Sequence, residues 1–153
     1  MTPMRAVVAA VLATAATASC GADQPQPPTR AEFVARAESA CRRHATRFEE
    51  LEQPRGERET VRYVEQVAAI NHDVLRALGS LEVPSGEAGA VERVLAGLRR
   101  LERVQAEYVE LARAGDFGTA ERLTREVEGA LAEFEAAATA YGLDGCARAV
   151  PAP

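Results

Sequence analysis

Four long stretches in which apolar residues recur every three or four positions, each closed by glycine or proline, constrain this chain more than any other feature. The first begins at Thr29, whose hydroxyl can cap a helix while Glu32 reaches back from the third position, and it carries Phe33, Ala37, Ala40, Cys41, His44, Phe48 and Leu51 before Pro54 and Gly56. The second, from about Glu57 to Leu78, places Val61, Val64, Val67, Ala68, Asn71, Val74, Leu75 and Leu78 on one arc; Gly79 stops it and Pro84-Ser85-Gly86 turns the chain. A third, from about Glu87 to Ala114, carries Val91, Val94, Leu95, Leu98, Leu101, Gln105, Tyr108 and Ala112 inward and closes at Gly115. Asp116 can cap the fourth, which runs through Phe117, Ala120, Leu123, Val127, Leu131, Phe134 and Ala138 to Tyr141 and Gly142. Four such helices joined by short turns predict an all-α, antiparallel up-down-up-down four-helix bundle.

Composition agrees with one domain of this kind. The chain has 153 residues, 47% of them hydrophobic, but only 5% aromatic and without tryptophan, so the core is built from Ala, Val and Leu on closely approaching helices. A formal charge of -5, with arginines but no lysine interleaved among glutamates, excludes the basic stripe that nucleic acid requires. Glu32 with Arg36, Glu38 with Arg42 and Glu121 with Arg125 are spaced for pairing along a helix, which reads as solvated outer faces.

The N-terminal segment reads as an address. Arg5 precedes an uncharged run from Ala6 to Ala18, which is the pattern of a secretory signal and is too short to span a bilayer. Its end, Ala16-Thr17-Ala18-Ser19-Cys20, resembles the lipobox of bacterial lipoproteins, which implies diacylglycerol on the Cys20 thiol and cleavage just before it. Thr17 stands where leucine is usual, so ordinary cleavage after Ala18 and secretion remain the alternative. Cysteine parity favours lipidation: Cys41 and Cys146 can pair in an exported protein, which leaves Cys20 as the odd thiol. Pro25, Pro27 and Pro28 give the segment before the first helix a polyproline-like character, about eight residues at about 3.1 Å each. The expected organisation is therefore a signal peptide over 1–19, a lipidated cysteine and Pro-rich linker over 20–28, the bundle over 29–148 and a flexible tail over 149–153.

Chemistry-bearing patterns are sparse. Cys41-x-x-His44 could share a metal, but it lacks a second ligand pair, so disulfide formation is the preferred reading and no metal site is expected. Di-iron bundles need Glu-x-x-His on two helices, whereas Cys41 and Ala69 stand three residues before His44 and His72. Covalent haem needs Cys-x-x-Cys-His, and no nucleophile elbow, phosphate loop or dinucleotide fingerprint is present. Neither a cofactor nor enzyme activity is expected. His44, Asn71 and Tyr141 stand out as polar groups on inward arcs in the same half of the bundle, predicting either a register-fixing polar network or a ligand pocket.

From Ala31 onward the chain resembles a group of small exported proteins and lipoproteins of GC-rich, actinobacterial-type bacteria. The resemblance rests on Ala31-Glu32-Phe33-Val34, Ala40-Cys41, Leu81-x-x-Pro84, Ala114-Gly115-Asp116 and Tyr141-Gly142-Leu143-x-x-Cys146. It implies a helical domain with a bridge from Cys41 in the first helix to Cys146 in the tail, and it carries no activity. The expectation for function is a lipoprotein on the extracytoplasmic face of the cell membrane, held there by its N-terminal lipid. It would serve as a non-enzymatic module for another envelope protein or a wall component. The alternative is an extracytoplasmic bundle that binds a small ligand.

Overall fold

The computed structural model describes residues 26–150, so the signal peptide, Cys20, most of the linker and residues 151–153 lie outside the described residues. The chain is all-α. Four long helices, α1 (Arg30–Glu49), α2 (Glu57–Gly79), α3 (Ala88–Arg113) and α4 (Phe117–Tyr141), pack each on the next, and a short α5 (Asp144–Ala149) follows.

Local chemistry sets the boundaries. Thr29 Oγ1 accepts from the Glu32 amide while the Glu32 carboxylate accepts from the Thr29 amide, completing the capping box expected from sequence. Gly115, at φ 75°, lets the Asp116 amide reach the Leu111 carbonyl and its own amide reach that of Ala112, which closes α3 in a Schellman motif. Asp116 then opens α4 by accepting from the Thr119 amide at 3.0 Å, so two long helices are joined by three residues. Gly142, at φ 91°, repeats the same motif at the end of α4 and delivers Leu143 into the core, 1% exposed.

α5 was not among the four expected helices. It lies between α1 and α4: backbone contact along α1 runs to α2 and α5, and that along α4 runs to α3 and α5. Cys146 is bonded to Cys41 in the middle of α1, as the sequence implied. The Gly145 amide donates to Glu38 Oε1 at 2.8 Å, so Glu38 faces the tail and not Arg42. The expected boundaries shift accordingly. Ala149 and Val150, assigned to a flexible tail, are buried, because the disulfide holds them against the bundle. Pro28, assigned to the linker, is buried as well.

The core divides in two. A large cluster, toward the end where α1 begins, contains Phe33, Cys41, Val74, Leu78, Leu98, Leu101, Phe134 and Tyr141. A small one, toward the opposite end, contains Val64, Val109 and Ala112. Between them on α2 and α3 stand Asn71 and Gln105, whose buried amides meet with Asn71 Nδ2 donating to Gln105 Oε1 at 3.1 Å. Asn71 Oδ1 and Gln105 Nε2 have no partner. Asn71→Leu would strand the Gln105 amide in the core and lower stability by about 1–3 kcal/mol, whereas adding Gln105→Leu should recover most of that loss. Urea midpoints of the wild type, both single variants and the double variant measure this coupling. A double variant no more stable than Asn71→Leu would mean that the two amides do not compensate each other.

Candidate functional site

One arrangement of polar groups between distant parts of the chain lies where α1 begins, α3 begins and α4 ends. Arg30, the first residue of α1, donates from Nη2 to the Tyr141 carbonyl at 2.7 Å and sets its guanidinium 4.7 Å from the Tyr141 ring centroid. A cation at the C-terminal end of α4 also complements the helix dipole. Phe33, one turn along α1, meets the same ring edge-on, with centroids 5.7 Å apart and planes at 88°. Arg30 Nε lies 3.8 Å from Glu87 Oε2, which tethers the start of α3 to this corner.

These groups border a cleft of about 300 Å³ lined by Arg30, Glu87, Ala90, Arg93, Ala137 and Tyr141 among others. Tyr141 is 4% exposed, and its Oη, like Glu87 Oε2, is buried with no hydrogen-bond partner. Burial, followed by the neighbouring Glu87 carboxylate, pushes the Tyr141 phenol up to about 12, so it is a neutral hydroxyl at ordinary pH. Glu87 lies close enough to raise the phenol's pKa both as a hydrogen-bond acceptor and by its charge, so the two buried oxygens face each other even though strict hydrogen-bond geometry is not met.

The three polar positions singled out by sequence have separate surroundings. Asn71 faces Gln105 in the core, and Tyr141 forms the cleft just described. His44 is only half-buried, with Nδ1 3.3 Å from Arg47 Nη1, which also donates to Asp73 Oδ2 at 2.7 Å. Burial first, and then Arg47, lower the His44 pKa, while the hydrogen bond from Arg47 holds Asp73 below its ordinary range. His44 is thus at the rim of α1, not in a shared polar interior. The buried residues of α1 end at Cys41, leaving Phe48 and Leu51 half-buried beyond it. Cys41 is committed to Cys146, which removes the thiolate from the Cys41-x-x-His44 pair. Among the described residues no group of three or more His, Cys, Asp or Glu side chains is placed to hold a metal ion. No described helix is long and apolar enough to cross a membrane.

Sequence reasoning placed Gln105 on an inner face without marking it as Asn71's partner, and it passed over Arg30, Glu87 and Arg93. The partners Arg30 and Tyr141 are 111 positions apart, and neither stands in a recognisable motif with the other. The three expected pairs are not among the ion pairs found: Arg113 with Glu110 and Arg99 with Glu92 pair along α3, and Arg47 with Asp73, His72 with Glu102, Arg113 with Glu65 and Arg100 with Glu133 pair between helices. Comparison of the chain with protein-family models, curated proteins and solved structures gave no match.

Proposed function

We propose that this protein is a lipoprotein on the extracytoplasmic face of the cell membrane, anchored through Cys20. Its domain, an up-down-up-down four-helix bundle, is a non-enzymatic module that engages an envelope protein or a wall component. The lipobox-like Ala16-Thr17-Ala18-Ser19-Cys20 and the odd cysteine support the anchor, and a buried disulfide fits an oxidising compartment. No cofactor and no nucleic acid enter this reading.

The observation that carries the interaction role is the distribution of aromatic side chains. Phe33, Phe134 and Tyr141 are buried in the large cluster, at or toward the end where the N-terminal segment leaves the domain. Tyr63, Tyr108 and Phe117 are only half-buried around the small cluster at the far end. Aromatic residues left partly exposed are suited to partner anchoring, because they bury large area at low entropic cost. An anchor at the near end would direct this far end away from the membrane.

Two measurements test the reading. Cys20→Ala should release the protein from the membrane fraction, and a variant that fractionates like wild type would rule out the lipid anchor. A photocrosslinking residue placed at Tyr108 or Phe117 in intact cells should capture a discrete partner that the same residue at exposed Glu82, near the other end, does not. Equal capture at all three positions, or none, would remove the far-end interface.

A further inference from the structure

The two ends of the bundle are held together very differently. At the near end, α5 and the Cys41–Cys146 bond join α1 to the α4 side, and twenty-one buried residues form one cluster. The far-end cluster has three buried members, Val64 of α2 with Val109 and Ala112 of α3, and its other apolar side chains are only partly covered. Asn71 Oδ1 and Gln105 Nε2, unpaired in the core, lie where the apolar packing is interrupted.

α1 does not accompany α2 to the far end. Arg47, in the last turn of α1, donates to Asp73 in the C-terminal half of α2 at 2.7 Å. The chain then continues through residues 50–56 beside the N-terminal half of α2, where Leu51 and Pro54 share a cleft with Glu59 and Tyr63. Beyond the Asn71–Gln105 hydrogen bond, the one ion pair that ties α2 to α3 among the described residues joins Glu65 to Arg113, with side chains 36% and 52% exposed. An exposed pair of this kind adds little to stability. α3, by contrast, is fixed to α4 by the close approach of Gly97 to the Phe134 backbone and by the Gly115–Asp116 turn.

The N-terminal half of α2 therefore rests on α3 through few buried side chains, which is the condition for local opening at less than the cost of global unfolding. A helix of about fourteen residues is marginal in water once released, so detachment and loss of helix go together. We propose that residues 50–70 form a detachable strap over the tip of the α3–α4 hairpin, and that its release uncovers Val109 and Ala112 next to Tyr108 and Phe117 while the disulfide-locked near half stays folded. Control of partner access by the strap rests on the far-end interface proposed above; the opening itself belongs to the domain alone, and its test uses no partner.

The test uses the full chain carrying Cys20→Ala with the native disulfide oxidised. Hydrogen exchange should give Val64, Val67 and Ala68 one shared opening, with protection about a hundredfold or more below that of Val74, Leu98 and Phe134. Urea should raise exchange shallowly in the first group and steeply in the second, since strap release exposes less surface than global unfolding. Leu98→Ala should lower near-half protection about thirtyfold or more and leave the strap within about twofold of its starting value. Val109→Cys should be alkylated by N-ethylmaleimide at the rate set by strap opening, whereas Val94→Cys should react only through global unfolding. Equal protection in both halves of α2, protection that climbs residue by residue from Glu57 as in simple fraying, or Val109→Cys alkylated no faster than Val94→Cys would overturn the proposal.

Discussion

Replacing Cys41 and Cys146 together by alanine should lower the stability of the domain by about 4–5 kcal/mol, the largest loss expected from any pair of side chains here. The bond joins residues 105 positions apart, so most of the described chain lies inside the loop that it closes in the unfolded state. By the chain-entropy account, stabilisation rises with the length of that loop. In a domain of this size the change corresponds to a fall in Tm on the order of 15 °C. The bond also has a local task. α5 has six residues, too few to be stable alone, and it supplies Cys146, Ala147 and Ala149 to the core. Reduction should therefore free α5 from α1 before the four long helices separate, and hydrogen exchange should show early loss of protection at Cys146 and Ala147. Two free thiols in the denatured, unreduced protein would contradict the bond itself, and a reduced protein as stable as the oxidised one would contradict its energetic role.

Gly97→Leu should cost about 3 kcal/mol or more, because it forces a side chain into a helix contact that has no room for one. A Cβ at position 97 would lie 2.8 Å from Phe134 Cα and 3.1 Å from the Phe134 amide nitrogen. These are backbone atoms of α4, so a rotamer change cannot relieve the overlap, and the two helices would have to move apart. Gly97→Ala sets two effects against each other: about 1 kcal/mol of helix propensity is gained, and about 1–3 kcal/mol of overpacking is incurred. Overpacking against backbone should win, giving a net loss in urea midpoint with little change in slope. Trimming the partner in Gly97→Ala/Phe134→Ala should not rescue stability, since the clash is with the main chain and the Phe134 ring is itself a core residue. A stabilising Gly97→Ala would mean that α3 and α4 do not approach this closely.

Much of the architecture was legible because its signals are local. A capping box acts over four residues, a Schellman glycine over six, and an apolar arc repeats every turn, so Thr29, Gly115, Asp116 and Gly142 mark their boundaries without reference to anything distant. The near-end cleft was not legible in the same way. Tyr141 was recognised as a polar group on an inward arc, but Arg30 and Glu87 read as ordinary charged residues at helix starts. Periodicity says which side of a helix is buried and carries no information on which residue of another helix stands opposite. The same limit explains His44, whose spacing matches the α1 arc although the buried part of that arc ends one turn earlier, at Cys41.

The sequence by itself determined four long helices, their termini and the pairing of Cys41 with Cys146. These follow from backbone hydrogen bonding, caps and side-chain period, and, for the pairing, from cysteine parity. Only the tertiary structure decided that α5 lies between α1 and α4, that Asn71 meets Gln105, that Gly97 admits the Phe134 backbone, and that Arg30 reaches Tyr141. Each of these depends on the register and separation of packed helices. Register and separation are set by the summed fit of many side chains across an interface, a quantity that no local segment of the chain contains.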